Sequence, residues 1–272
     1  MATPDFAPRR AAFRKLHESG CFVIPNPWDI GSARYLKHLG FQALATTSGG
    51  FAFSRGLADT QVSREVVLDH IAEIVAATDL PVNADFESGF ARDPKGVAES
   101  VRLCAATGVA GISIEDSTGD KAKPLYEVPV AVERLEAARE ALGDSGVLLI
   151  GRAECFLTGH SEPLKESIRR LQAYAQAGAD VLYAPGVHER ADIQAIVAAV
   201  HPRPVNVLMG WSSGDKVTDL AALGVRRIST GSALARAAWG GFISAAKKIA
   251  EQGSFAFDGA APFAELNSLF RA

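Results

Sequence analysis

Short apolar runs recur along the chain, and each is followed by a longer segment whose hydrophobic residues repeat at helical spacing. Eight runs predict buried β-strands: Phe22–Pro25, Ala43–Thr47, Pro81–Phe86, Gly111–Glu115, Val147–Arg152, Val181–Ala184, Pro204–Met209 and Arg226–Thr230. Five segments between them most clearly predict amphipathic helices: Arg64–Ala77, Val97–Thr107, Ala131–Leu142, Leu164–Ala177 and Ile193–Val200. The centres of the runs lie about 29 residues apart on average, which is the length of one βα unit.

Eight successive βα units fit either a closed (β/α)8 barrel or a large doubly wound sheet. The barrel is favoured because no GxGxxG motif opens a helix after the first strand, and because eight strands close such a barrel. We therefore predict an α/β fold, a (β/α)8 TIM barrel that forms a single domain over residues 1–272.

The composition changes near the C-terminus. Residues 252–261 are Gly-rich and aperiodic, and Pro262 then opens a last amphipathic segment. Its apolar stripe has to be buried, either on the chain's own barrel or on a neighbouring subunit. The stripe consists of Phe263, Leu266, Leu269 and Phe270. Residues 258–272 are thus predicted to form a C-terminal helix that could serve in oligomerisation.

Charge and composition exclude several functional classes. The 28 basic and 31 acidic residues give a net charge of −3 without any block of like charge, which argues against nucleic-acid binding. Three scattered cysteines give neither a disulfide framework nor a Cys/His metal site. Because residues 1–20 lack a secretory signal and no window approaches ~20 apolar residues, we expect a soluble, cytoplasmic protein without a membrane partner.

Polar side chains collect at the predicted carboxyl ends of the strands, where barrel enzymes place their reactive groups. Because side chains alternate along a strand, Asp85 and Glu87 are predicted to face the barrel axis. Glu115 and Arg152 are predicted to point inward by the same period. Asp29 and Asp116, also at strand ends, could be only a helix cap or a salt-bridge partner.

Crowded carboxylates repel one another unless their pKa values rise or a cation neutralises them. An all-oxygen ligand set favours Mg²⁺, or Mn²⁺, over zinc, and the predicted metal ligands are Asp85, Glu87 and Glu115. Arg152 is predicted to clamp a substrate carboxylate, or else only to pair with Glu115 or Glu154.

Two loops add candidate binding groups. The turn at Ser48, Gly49 and Gly50 could offer a hydroxyl and backbone N–H groups to an anion, or could only begin a helix. The polar, Gly-containing loop at residues 117–125 could be a mobile lid or an ordinary solvated turn.

Taken together, the strand-end motifs resemble the phosphoenolpyruvate mutase/isocitrate lyase superfamily over roughly residues 20–240. The matching motifs are Asn-Pro-Trp-Asp at 26–29, Ala-Thr-Thr-Ser-Gly-Gly at 45–50, Asp59, Asn-Ala-Asp-Phe-Glu at 83–87, Ile-Glu-Asp at 114–116 and Arg-Ala-Glu at 152–154. The resemblance implies a (β/α)8 barrel in which Asp85 holds Mg²⁺, with Glu87 and Glu115 acting mostly through water.

The resemblance also implies a small 2-oxo or 2-hydroxy acid as ligand. The substrate-binding residues it implies are Trp28, Ser48, Gly49, Gly50, Asp59 and Arg152. It further implies that the C-terminal helix is exchanged between subunits of a homotetramer, a dimer of dimers.

Two departures from the superfamily pattern concern chemistry. Members commonly have Asp where this chain has Glu87. Isocitrate and methylisocitrate lyases carry Lys-Lys-Cys-Gly-His after the fourth strand, with the Cys as proton donor, whereas residues 117–127 contain no Cys or His. Lys121, or a water on Glu115, is the predicted proton-transfer group, and isocitrate and methylisocitrate are not the expected substrates.

These features predict a Mg²⁺-dependent lyase that cleaves or forms a C–C bond in a small 2-oxo or 2-hydroxy carboxylate through an enolate-like intermediate. Arg152, Glu115 and Lys121 are its predicted catalytic residues. The first alternative is P–C bond chemistry, as a phosphonopyruvate/phosphoenolpyruvate mutase or hydrolase, on the same site. The second, of a different class, is a non-catalytic barrel that serves as a binding module.

Overall fold

The computed structural model describes residues 5–271, and its eight strands alternate with helices; residues 1–4 and 272 of the predicted domain lie outside the described part. The strands are β1 (Phe22–Ile24), β2 (Leu44–Ala45), β3 (Val82–Asp85), β4 (Gly111–Glu115), β5 (Leu148–Arg152), β6 (Val181–Tyr183), β7 (Val205–Leu208) and β8 (Arg227–Ser229). The helices are α1 (Ala7–Leu16), α2 (Ile30–His38), α3 (Ser48–Ser54), α4 (Arg64–Ala77), α5 (Pro94–Ala106), α6 (Val128–Leu142), α7 (Pro163–Gln176), α8 (Arg190–Val200), α9 (Val217–Ala222), α10 (Ala233–Gln252) and α11 (Phe263–Phe270).

The strands pair in parallel in the order β1-β8-β7-β6-β5-β4-β3-β2, so consecutive strands from β2 to β8 are paired, and β8 also pairs with β1. Between the two end strands, the amide of Ala45 donates to the carbonyl of Pro25 over 3.0 Å. The result is a nearly closed (β/α)8 TIM barrel, which confirms the predicted fold class. A doubly wound sheet would instead reverse its strand order at a switch point.

Asn26, directly after β1, forms hydrogen bonds to the residues that follow β2 and β8. Its side-chain amide donates to the carbonyl of Thr46 after β2, over 2.8 Å. Its side-chain oxygen accepts from the backbone N–H groups of Thr230 and Gly231 after β8, each over 2.9 Å. Because these bonds span the seam where β1 and β2 meet, Asn26 supports closure of the barrel.

The short helix α1 closes the amino-terminal end of the barrel, and the sequence pattern did not predict it. Phe13 on α1 is fully buried against Phe22, Leu148 and Val181, which lie at or near the starts of their strands. With that end filled by apolar side chains, the carboxyl ends of the strands form the accessible end of the barrel.

The C-terminal segment forms the predicted helix but is barely covered by its own barrel. No residue of α11 is buried, Phe263 is 83% exposed, and Phe270 touches α2 near Gly31. The preceding α10 buries only Ala235 among its twenty residues. Within the described residues, no helix is long and apolar enough to cross a membrane.

Candidate active site

A cavity of about 150 Å³ opens at the carboxyl ends of the strands. Residues from all eight strands, or from the loops after them, line it together with Ser48 and Gly49 of α3. Those that the sequence had singled out are Ser48, Gly49, Asp59, Asp85 and Arg152. The structure therefore brings half of the predicted site residues to one small polar cavity.

Asp85, the last residue of β3, lies at the centre of the polar contacts. Its Oδ2 accepts from the backbone N–H of Ser48 over 3.0 Å, and its Oδ1 accepts from Arg152 over 3.2 Å. Its own N–H donates to the hydroxyl of Thr46 over 2.9 Å. These bonds fix the carboxylate at the cavity wall, as inward alternation along β3 predicts.

Arg152, the last residue of β5, pairs with three carboxylates. Its Nη1 lies 3.2 Å from Asp85 and 3.3 Å from Glu115, and its Nε donates to Glu154. Although burial opposes its charge, these carboxylates raise the pKa of Arg152 well above its usual value. Arg152 thus pairs with Glu115 and Glu154 and also lines the cavity, so its predicted contact with a substrate carboxylate stays a prediction.

Glu87 is close to the site, but not for the predicted reason. Strand β3 ends at Asp85, and Glu87 has a φ of 46° in the turn that follows, so strand alternation does not extend to it. Burial, together with the charges of Asp85 and Asp59, raises the pKa of Glu87 to about 8. A non-glycine residue with positive φ is strained, and such residues cluster at functional sites.

Glu115 lies beside Arg152 rather than in the lining of the cavity, with 12% of its side chain exposed. Burial raises its pKa well above the usual value, against the opposing effect of Arg152. Burial likewise raises the pKa of Glu154. The site thus holds more carboxylates than cations can balance.

The residues present suit a Mg²⁺ ion. Five carboxylates, those of Asp59, Asp85, Glu87, Glu115 and Glu154, interact with a single guanidinium, that of Arg152. Among residues 5–271, no three His, Cys, Asp or Glu side chains converge into a complete metal-binding group. Mg²⁺ needs none, because it usually takes one or two carboxylates and completes its coordination with water and substrate oxygens.

The predicted anion-binding turn is partly occupied by internal hydrogen bonds. Ser48 N–H donates to Asp85, and Gly50 N–H donates to the hydroxyl of Thr47, the N-cap of α3. Gly49 lies in the first turn of α3, where a backbone N–H has no acceptor within the helix. Of the three amides, that of Gly49 therefore remains suited to contact a ligand.

Asp59 comes from the loop after α3 and lines the cavity as predicted. Partial burial and the neighbouring charge of Asp85 raise its pKa. A Cβ on Gly49 would lie 3.1 Å from the Asp59 carboxylate, so the glycine permits this close approach. The next residue, Thr60, has a φ of 65°, a second strained position beside a site carboxylate.

Two predicted residues lie elsewhere in the described structure. Trp28 lines a separate apolar hollow with Trp239 and Phe242, because it follows β1 on the side facing α10. Lys121 lies in an outer, solvent-open hollow with Asp120 and Thr158. Neither Trp28 nor Lys121 lines the cavity in the described structure, and the roles predicted for them remain predictions.

The loop that carries Lys121 is an ordered hairpin. Ser117 and Leu125 form an isolated antiparallel bridge, and Thr118 N–H donates to the carbonyl of Pro124 over 3.0 Å. Asp120 accepts from Ala122 N–H over 2.8 Å. The loop is therefore internally hydrogen-bonded in this conformation, as an ordinary solvated turn would be.

The two strand-end aspartates outside the cavity have structural contacts. Asp29 caps α2, accepting from Ser32 N–H over 2.6 Å. Asp116 is buried and accepts from Arg170 over 2.9 Å, from Tyr174, and from the N–H of Glu154 over 2.9 Å. Asp116 therefore helps to position the residue that pairs with Arg152.

Comparison with known proteins places the chain in a family. The phosphoenolpyruvate phosphomutase family model matches residues 13–250. The chain belongs to the phosphoenolpyruvate phosphomutase family. Its family is enzymatic, and the superfamily resemblance of the strand-end motifs is thereby confirmed.

Sequence relatives within this family cover most of the chain. The uncharacterised protein Rv1998c of Mycobacterium tuberculosis H37Rv is 31% identical over 222 residues, which are 81% of this chain and 82% of the relative. An oxaloacetate decarboxylase of Paraburkholderia xenovorans is 30% identical over 236 residues, which are 83% of this chain and 75% of the relative.

Solved structures agree with the phosphomutase-family fold. A Burkholderia cenocepacia J2315 protein, provisionally named a lyase/mutase, superposes with a TM-score of 0.94 at 48% identity and covers 98% of this chain and 97% of its own. An oxaloacetate acetylhydrolase in complex with the product oxalate gives a TM-score of 0.86 at 26% identity, covering 97% and 94%.

In this member of the phosphomutase family, several cavity residues had escaped the sequence reasoning. Tyr183, Asn206, Arg227 and Ser229 line the cavity from β6, β7 and β8. Inward alternation, applied to polar residues within these three strands as it was to β3, would have found them. None of the four belongs to the strand-end motifs that carry the superfamily resemblance.

Proposed function

We propose that this protein is a Mg²⁺-dependent lyase that cleaves or forms a C–C bond in a small 2-oxo or 2-hydroxy carboxylate. The observation that carries the proposal is the hydrogen-bonded Asp85–Arg152 pair at the wall of a cavity of about 150 Å³. Such a volume suits a small organic acid, since pockets for drug-sized ligands span roughly 300–1,000 Å³.

The protein groups have distinct roles in this proposal. Arg152 donates to one end of the substrate carboxylate, and Gly49 N–H and the Ser48 hydroxyl contact the anion from the side of α3. Asp85 and, through water, Glu87 and Glu115 would hold the metal. When bound, Mg²⁺ supplies Lewis-acid stabilisation of the negative charge that develops on the substrate oxygens.

The relatives support this class of chemistry. An oxaloacetate decarboxylase and an oxaloacetate acetylhydrolase are both named for oxaloacetate, a 2-oxo acid, and for breaking one of its bonds. Proton transfer in this chain is assigned to Lys121 or to a water on Glu115. For Lys121 this requires the hairpin at residues 117–125 to move, because the lysine lies outside the cavity.

P–C bond chemistry on phosphonopyruvate is the second candidate. The family model is named for a phosphomutase. The same anion-stabilising residues would stabilise the enolate that forms when the P–C bond breaks. A non-catalytic binding module is disfavoured, because such a protein has no need to gather five mutually repelling carboxylates around Arg152.

The test is a substrate panel followed by proton and phosphorus NMR with Mg²⁺. The acids are oxaloacetate, citramalate, 2,3-dimethylmalate, isocitrate, methylisocitrate and phosphonopyruvate. We expect turnover of a 2-oxo or 2-hydroxy acid, loss of it in Asp85→Asn, and no loss in Asp29→Asn, whose side chain only caps α2. A new phosphorus signal from phosphonopyruvate would assign P–C chemistry, and no turnover of any acid would contradict the proposal.

The uncovered apolar surface supports a further part of the proposal, the homotetramer with exchanged C-terminal helices. The exposed side chains belong to α10, α11 and the segment between them: Trp239, Phe242, Ile243, Phe255, Phe257 and Phe263. Large apolar side chains left exposed on neighbouring segments are typical of an interaction surface. We propose that α11 and this surface pack against a second copy of the chain.

A further inference from the structure

A buried cation without a carboxylate partner lies beneath the rim of the cavity. Arg227 begins β8 and is only 3% exposed, yet it lines the same cavity as Asp85. It pairs with Phe22 at the start of β1, whereas Ser229, two residues further on, pairs with Ile24. Arg227 therefore extends the lining of the cavity by one layer into the barrel interior.

The hydrogen bonding of Arg227 is incomplete within the described residues. Its Nε donates to the side-chain oxygen of Asn206 over 2.8 Å, but its buried Nη1 has no partner. Burial lowers its pKa to about 10, opposed by Tyr183, so the guanidinium stays charged at neutral pH. An unpaired buried charge costs folding free energy, and such groups are retained most readily where they bind a ligand.

The two arginines that line the cavity differ in their partners. Arg152 at the rim pairs with Asp85, Glu115 and Glu154, whereas no described carboxylate forms an ion pair with Arg227. Near Arg227, His17 contacts the Phe13 carbonyl through Nδ1 over 2.8 Å. Arg227 therefore offers a ligand a positive charge that no carboxylate of the described residues already pairs with.

We propose that Arg227 binds a second anionic group of the substrate, a carboxylate carried on the chain distal to the 2-oxo or 2-hydroxy acid group. This inference rests on the proposed function, because it takes the rim near Asp85 and Arg152 as the site of the reacting acid group. It makes Arg227 the residue that selects diacids over monoacids of the same length.

The test compares two acids that differ only in the distal group, malate and 2-hydroxybutyrate. Their dissociation constants are measured by isothermal titration calorimetry in Mg²⁺, with oxalate as a short ligand that reaches only the rim. We expect the wild type to bind malate at least about tenfold more tightly than 2-hydroxybutyrate, as a charge-assisted contact requires. Arg227→Met should remove this preference and leave 2-hydroxybutyrate and oxalate unchanged.

Two further variants separate charge from structure. Arg227→Lys keeps the charge and should keep part of the preference for malate. Arg226→Met is the matched control, because the neighbouring Arg226 donates to the Gly20 carbonyl outside the cavity and should not affect either acid. Since the comparison of the two acids needs only the wild type, a poorly folding Arg227→Met protein does not remove the test.

The outcomes distinguish the two proposals. Equal wild-type affinities for malate and 2-hydroxybutyrate, with oxalate still bound, would overturn this inference alone. Arg227 would then be a structural residue, hydrogen-bonded within the barrel beside Asn206 and His17. Failure of the wild type to bind oxalate in Mg²⁺ would overturn the proposed function as well.

Discussion

At the scale of single residues, burial sets the charge state of most groups in the site. Burial raises the pKa values of Glu87, Glu115 and Glu154, and it opposes the charge of Arg152, which the carboxylates restore. A charged ligand can therefore change many interactions at once in this enclosed volume. The guanidinium of Arg152 is the cation that opposes this rise in the pKa values of the three carboxyl groups.

Arg152→Lys should lower kcat/KM about 100- to 1,000-fold on the best acid of the panel. Lysine keeps the positive charge but has no planar fork to reach Asp85, Glu115 and Glu154 together. Steady-state kinetics provide the measurement, and Arg102→Met on the exposed face of α5 is the control. A kcat/KM equal to that of the wild type in Arg152→Lys would show that the Arg152 guanidinium has no role in the reaction.

His70 should make the free energy of unfolding depend on pH, independently of the cavity. Its ring stacks on Phe51, with ring centroids 3.7 Å apart, and burial lowers its pKa to about 4. Because the unfolded chain binds the proton more readily, stability from His70 is complete above its ordinary pKa of about 6.5 and is lost as pH falls towards 4. His70→Phe keeps the stack without the titration.

Urea unfolding of the wild type and His70→Phe at pH 7, 6, 5 and 4 measures this effect. The stability difference, wild type minus variant, should fall by up to about 3 kcal/mol over that range. Taking the difference cancels the contribution of the site carboxylates, whose raised pKa values make the folded state more stable as pH falls. A difference that does not change with pH would show that His70 does not titrate as described.

At the scale of elements, the turn between β3 and α5 depends on Arg134 of α6. Arg134 is 1% exposed and donates to the carbonyls of Ser88, Ala91 and Arg92. These bonds hold the strained turn that contains Glu87. A residue on one helix thus positions a carboxylate that follows a neighbouring strand.

Arg134→Met should reduce the free energy of unfolding by about 3 kcal/mol, because three partly buried hydrogen bonds from a buried guanidinium are lost. Chemical denaturation measures the loss, with Arg102→Met expected to change stability by no more than about 0.5 kcal/mol. Equal free energies of unfolding for Arg134→Met and Arg102→Met would show that the turn is stable without the hydrogen bonds from Arg134.

Strand alternation predicted the inward positions of Asp85 and Arg152, because both are the last residues of regular strands. It does not explain the position of Glu87, because the turn after β3 has a positive φ that no local pattern announces. The position of Trp28 beside α10 was likewise beyond reach of the local pattern, since the path of the loop after β1 depends on packing between distant elements.

Helix α1 and the interior Arg227 were missed although their patterns were present. Apolar Phe13 and Leu16 are spaced for a helix, but nothing local shows that they fill the end of a barrel. Arg227 lies within an apolar run, where a charged residue is normally assigned to the solvent face. The role of α1 depends on contacts between distant parts of the chain, whereas alternation along β8 was enough to place Arg227 inward.

At the scale of the whole molecule, the barrel is well packed while its C-terminal surface is not. Under the proposed exchange of α11, deleting residues 258–272 should shift the protein to smaller species in sedimentation velocity, because the deletion removes the helix that would pack against a second copy. Cavity residues are unaffected by this deletion, so oxalate binding per chain should persist. An unchanged sedimentation profile would contradict exchange of the C-terminal helix.

The metal-assisted acid site is tested most directly by calorimetric titration of oxalate into the wild type with Mg²⁺ and into the same protein after chelation. Asp85→Asn and Asp29→Asn are titrated alongside. Oxalate should bind to the wild type and Asp29→Asn only when Mg²⁺ is present, and should not bind measurably to Asp85→Asn. Equal oxalate affinity with and without Mg²⁺, or in Asp85→Asn, would show that this cavity does not use a metal at Asp85.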